Sequence, residues 1–321
     1  MVNENDKDEP ITNWAPVVGQ WKIETGKVAY LGQRPSQQST STQYGICVSD
    51  VRFTEGEATV AIRFPADSDG IGDVVAHDAS ACLLFGYRSP REEYLNVGLG
   101  EYRTAYSISR LEPGGTWRAI AAVGSKENLT PDRNYNLHVR IQGQRVVVEV
   151  DGVRVLEHVL DTPLPNGQLG LFGFGTATVE FTRPSVSRQR GTVFVAMQFS
   201  EPYHELYKEV IERTVWENGL VARHAGEVFG PGIILQDIIA GIETSKIVIA
   251  EITPPNPNVF YELGYAHALK KPTILLADRA KLEKLPFDIS GYRCLFYENS
   301  IGGKRKVEEA LTRHLMAILN V

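Results

Sequence analysis

Two carboxylates in the C-terminal third, Glu251 and Glu262, sit where chemistry could be done. Glu251 closes the apolar, β-branched run Ile247-Val248-Ile249-Ala250. A turn rich in Pro and Asn follows, and then a helix. Asn256 is a natural N-cap, and Pro257 fits the first helical position, where no N–H is needed. Val259, Leu263 and Ala266 mark a core-facing stripe at helical spacing. Glu262 borders that stripe in the second turn, too deep for a capping box. A carboxylate there is paired, with a neighbour such as His267 or Arg223, or neutralised, or used. Used, it serves as nucleophile or in acid–base work.

These residues need a scaffold, and residues 192–321 supply an alternating pattern. Thr192 to Met197 is a continuous apolar strand, as at the centre of a parallel sheet. A helix from Ser200 to Trp216, a strand Leu220–Arg223, a helix Ile233–Glu243 and a strand Lys246–Glu251 follow. Then come the helix carrying Glu262, strands Pro272–Ala277 and Tyr292–Tyr297, and a helix Lys304–Leu319. This predicts a flavodoxin-like α/β domain with strand order 2-1-3-4-5. Its crevice lies between the carboxyl ends of the first and third strands. Met197, Phe199 and Ser200 would enter it from one side, and Glu251, Asn258 and Glu262 from the other. Arg223, ending the second strand, is a candidate contact for phosphate or ribose.

Residues 14–187 read differently. Short alternating strands, such as Ser80–Tyr87 and Tyr94–Leu99, are separated by Gly, Pro, Asn and Asp. The turns at Gln142-Gly143 and Asp151-Gly152 are hairpin signals. An all-β sandwich is expected, serving binding or sensing with an unknown ligand, joined by a linker at 188–191. The loop holding Asp67, Asp69, Asp73 and Asp78 lacks an ordered calcium-ligand pattern. Glu92-Glu93 reads as surface charge, and His77, His138 and His158 as structural.

The net charge of -6 gives no support for direct nucleic-acid binding. No apolar run is long enough to span a bilayer. The polar, acidic N-terminus is unlike a signal peptide, so a cytoplasmic location is expected. Cys47, Cys82 and Cys294 have no metal-ligand spacing and read as small buried residues.

Two resemblances add to this. The meander from Asn136 to Phe181 resembles the laminin-G/concanavalin-like jelly roll. Val193 to Ser200, Ser245 to Thr253 and Asn256-Pro257-Asn258-Val259-Phe260-Tyr261-Glu262-Leu263-Gly264 resemble the nucleoside deoxyribosyltransferase-like group, allied to bacterial TIR domains. That second resemblance implies Glu262 as nucleophile at a sugar C1′. It implies a nucleotide such as NAD as substrate, with no further cofactor, and self-association. A regulated N-glycosidase of antiphage defence is then expected. Deoxyribosyl transfer in salvage, or a non-catalytic nucleotide-binding signalling module, are the alternatives. Glu251 stands where the transferases typically carry an Asp that helps protonate the departing base.

Overall fold

The computed structural model describes residues 8–32, 43–66, 79–198, 200–224, 226, 234–282 and 284–319. The chain divides into two compact units. One comprises Met1–Ile141, Val146–His158 and Leu164–Gln189; the other comprises Gln142–Arg145, Val159–Pro163 and Arg190–Val321.

The first unit contains β1 (Glu9–Pro10), β2 (Trp14–Val18), β3 (Trp21–Glu24), β4 (Lys27–Tyr30), β5 (Tyr44–Phe53), β6 (Gly56–Arg63), β7 (Ser80–Tyr87) and β8 (Tyr94–Leu99). There follow β9 (Thr104–Leu111), β10 (Trp117–Ser125), β11 (Asn134–Gln142), β12 (Arg145–Val150), β13 (Val153–Val159), β14 (Gly167–Phe174) and β15 (Val179–Arg188). They form two sheets. One runs β13-β12-β11-β6-β15-β4-β3, with β1 on β15; the other runs β10-β9-β8-β7-β14-β5-β2. The pairs whose register is described are all antiparallel.

Alternation drives the packing. In β11, Tyr135, Leu137, Val139 and Ile141 are buried and the residues between them are not. The β12–β13 turn takes positive φ at Asp151 and Gly152, 51° and 79°. The Asp151 carboxylate accepts from the Asn136 backbone and side-chain amides at 2.9 and 3.0 Å, which fixes the turn against β11. The second sheet buries apolar residues on both faces, and all eight residues of β7 are buried. One face holds Leu83, Phe85, Leu95 and Leu171, fully buried, with Phe53 and Phe85 rings 5.1 Å apart. The other face carries a separate cluster of Ile46, Val48, Cys82, Leu84, Tyr87, Tyr94, Leu111 and Phe172, edged by Tyr44 and Trp117.

The second unit holds a five-stranded parallel sheet: β16 (Thr192–Ala196), β17 (Val221–Arg223), β18 (Ile247–Glu251), β19 (Thr273–Asp278) and β20 (Cys294–Tyr297). Its order, β17-β16-β18-β19-β20, is the 2-1-3-4-5 arrangement read from the sequence. Helix α1 comprises Tyr203–Leu206, a π-helical turn Tyr207–Ile211 and Glu212–Glu217. It is followed by α2 (Ile234–Thr244), α3 (Pro257–Ala268) and α4 (Ile301–Leu319). Two apolar clusters sandwich the sheet. One joins Val193, Val195, Ile247 and Ile249 to Tyr207, Val210, Leu311 and Leu315. The other joins Phe194, Val248 and Ala250 to Ile242, Val259, Leu263 and Ala266. Val193 and Phe194 thus face opposite layers, as period-two strands covered on both sides require. Among the described residues no helix is long and apolar enough to cross a membrane.

Candidate functional site

In the second unit, the parallel register sets Met197, Glu251 and Arg223 at the carboxyl ends of neighbouring strands. Ala196 pairs with Ala250, so Met197 and Glu251 follow side by side at the carboxyl ends of β16 and β18. Arg223 ends β17, opposite Phe194. Met197 is buried in the apolar cluster with Val193 and Val195, so its side chain packs there. Ser200, Arg223 and Asn258 are exposed. Phe199 lies outside the described residues. Asn256 caps α3 by accepting from the Asn258 amide at 3.0 Å, and Pro257 follows at the first position.

Glu251 is 1% exposed. Its carboxylate accepts from the Thr253 hydroxyl, from the Thr253 amide at 3.1 Å and from the Tyr297 hydroxyl at 3.1 Å. The Thr253 hydroxyl accepts in turn from the Asp278 amide at 2.9 Å. Burial pushes the Glu251 pKa up to about 7; the hydrogen bonds oppose the rise and the Asp278 charge adds to it. At the end of β19, Lys281 donates to the Tyr203 hydroxyl at 2.6 Å and lies 3.8 Å from Asp278.

Glu262 is 7% exposed, and burial pushes its pKa up to about 7 as well. Neither of the partners considered for it, His267 or Arg223, pairs with it. The His267 ring instead contacts the Thr273 hydroxyl at 3.2 Å and stacks on Tyr292 at 4.1 Å.

The first unit holds a site that sequence reading passed over. A depression of about 410 Å³ is lined by Ser80, Gly100, Glu101, Tyr102, Arg103, Trp117, Lys126, Phe172 and Phe174. Aromatic rings form its walls. Trp117 packs on Phe172 at 5.5 Å and edge-on to Tyr94 at 5.6 Å. Tyr102 and Phe174 are 49% and 41% exposed, so their rings meet solvent rather than core. Glu101, in the β8–β9 turn, is by contrast 8% exposed. Its carboxylate accepts from Ser107 at 2.9 Å, from Ser109 at 2.7 Å and from the Asn96 amide at 3.4 Å. Burial pushes its pKa above the ordinary carboxylate range, against the hydrogen bonds of Ser109, Ser107, Asn96 and Cys82. The available signal was Ser107 and Ser109, alternate residues of β9 whose hydroxyls share one face and converge on one carboxylate.

The structure also places other residues singled out in the sequence. Glu93, read as surface charge, is ion-paired at 3.0 Å to Arg110, whose side chain is 3% exposed. His138 lies between Glu57 and Glu149 at 2.9 and 3.3 Å, a structural placement across β6, β11 and β12. His77 and the loop with Asp67, Asp69, Asp73 and Asp78 lie outside the described residues. Among the described residues no cluster could hold a metal ion. The thiols of Cys47, Cys82 and Cys294 are unpaired with one another, and burial pushes all three pKa values up.

No family model and no curated protein matches the chain. Solved structures do match over about half of it. The carbohydrate-binding module CBM66 from Bacillus subtilis is 19% identical, with a TM-score of 0.42 over 54% of this chain and 94% of that one. A β-glucanase of Bacillus licheniformis is 12% identical, with a TM-score of 0.41 over 57% and 98%. A prokaryotic β-1,3-1,4-glucanase derived from a mouse hindgut metagenome is 11% identical, with a TM-score of 0.40 over 58% and 97%. These are carbohydrate-binding and glucan-cleaving proteins with an all-β jelly roll. The expectation of a TIR-like N-glycosidase cleaving NAD in antiphage defence, with its salvage and nucleotide-signalling alternatives, is corrected to this extent: the matching structures are of carbohydrate-binding and glycan-cleaving proteins.

Proposed function

We propose that the β-sandwich unit binds a glycan in the aromatic depression. The observation that carries this reading is the pair of exposed rings, Tyr102 and Phe174, standing with Trp117 around a buried carboxylate. Sugar rings present apolar C–H faces and polar edges. An aromatic wall accepts the first, and a few fixed polar groups orient the second. Binding is favoured over cleavage by a count of acids. Glycoside hydrolysis ordinarily uses two carboxyl groups roughly 5–9.5 Å apart. Among the described lining residues Glu101 is the one carboxylate.

Titration of the full chain with soluble oligosaccharides, followed by calorimetry, tests this. Saturable binding is expected. Phe174→Ala removes an exposed ring at little cost to folding and should weaken binding roughly tenfold, as for an interface aromatic. An unchanged affinity in that variant would reject the depression as the site.

A second reading concerns the parallel sheet, where two buried carboxyls poised near neutrality favour a small-molecule site. We infer that Glu251 and Glu262 act there as proton-exchanging groups, with Ser200, Arg223 and Asn258 exposed to solvent at the rim and Met197 packed in the core beneath. Its test is the pH dependence of the Glu262→Gln variant.

A further inference from the structure

We infer that the glycan taken by the depression is acidic and that its carboxylate is met by Arg103; this rests on the glycan reading above. Charge is the first ground. The lining carries one carboxyl group, Glu101, and two cations, Arg103 and Lys126, for a formal charge of +1 in a chain whose net charge is -6. Lys126 is 9% exposed, and its charge offsets that of Glu101 in this count. Arg103 is exposed and has no ion-pair partner among the described residues. A guanidinium so placed is suited to bidentate capture of a planar carboxylate.

The backbone is the second ground. Tyr102 and Arg103 are consecutive non-glycine residues with φ of 51° and 62°, just after Gly100 at 84°. Where a hairpin connection needs two successive positive φ values, Asn-Gly is the inexpensive choice. A bulky aromatic and a long cation occupy the strained positions here instead. The turn is therefore built for what Tyr102 and Arg103 present at the mouth, not for ease of reversal. The Thr104 hydroxyl, donating to the Glu101 carbonyl at 2.8 Å, ties this turn down. A ligand with an apolar ring face and an equatorial carboxylate, as in a hexuronic acid, satisfies both the aromatic wall and Arg103.

The experiment pairs each acidic ligand with a neutral twin. Oligogalacturonides, alginate oligosaccharides and hyaluronan oligosaccharides are titrated into the full chain beside their methyl esters, with a sulfated oligosaccharide and neutral β-glucan oligosaccharides as further arms. At least one acid form should bind roughly tenfold or more tightly than its ester. Arg103→Gln should erase that preference by weakening the acid form to the level of its ester. Equal binding of acid and ester, or binding by neutral glucan alone, overturns the acidic assignment and keeps the glycan reading. Binding of the sulfated sugar alone overturns the carboxylate. Silence in every arm overturns both.

Discussion

Burial raises Glu262 and Glu251 to about the same pKa, but their surroundings differ, and this makes them separable. Glu251 is buried among three hydrogen-bond donors, which partly hold its charge. The rise at Glu262 comes from burial alone. For each, a folded pKa of about 7 exceeds the reference 4.5, so the folded chain holds the proton more tightly than the unfolded one. The associated stability is fully present below about pH 4.5 and is lost as pH rises through 7. Glu262→Gln removes the titration and keeps the shape. It should raise the melting temperature at pH 8 by a few degrees, about 3–8 °C for a burial penalty of roughly 1–2 kcal/mol. At pH 5 it should change little. Thermal melts monitored by circular dichroism at the two pH values decide it; an equal shift at both would mean that Glu262 is ordinary in the folded state. At the sandwich site, Ser109→Ala withdraws the 2.7 Å hydrogen bond from a carboxylate already held above its usual pKa. Denaturant titration at pH 7.5 should show a loss of roughly 1–3 kcal/mol, as when a buried polar group loses its hydrogen-bond partner. No loss would mean that Ser109 does not hold the Glu101 carboxyl in the folded chain.

At the scale of elements, helix α3 shows how much local sequence can specify. Asn256 accepts at the cap, Pro257 opens the helix, and Val259, Leu263 and Ala266 reach the core as their spacing requires. Asn256→Ala should cost about 1 kcal/mol, measured by chemical denaturation, and a neutral result would assign the helix start to packing. The β-strands were legible for a similar reason, since alternation is visible residue by residue. Ser80–Tyr87 and Tyr94–Leu99 begin and end where their patterns do. The aromatic depression was not legible. Its walls come from β10 and β14 and its carboxylate from the β8–β9 turn, segments brought together only by strand order. Glu101 resembles any turn acid until Ser107 and Ser109 are seen to converge on it. The fate of Glu262 was also beyond local reading, because His267 turned to Tyr292 and Thr273, neighbours set by tertiary packing.

The whole molecule brings a conflict of scale into any encounter with an acidic sugar. The chain carries -6, while the depression carries +1. At about 10 mM salt the Debye length is roughly 30 Å, and an approaching anion feels the net charge of the whole chain. At about 150 mM it shrinks to roughly 8 Å, and the anion feels mainly the Arg103 cation at the mouth. Association of an acidic oligosaccharide should therefore quicken between these salt concentrations, opposite to the usual behaviour of steered pairs. Dissociation should quicken too, because the Arg103 contact is exposed and screened. The two effects offset, leaving affinity only weakly dependent on salt. Stopped-flow measurement of both rate constants through Trp117 fluorescence tests this. An association rate that falls as salt is added would show that a local positive field dominates at long range and that the net charge does not slow the approach.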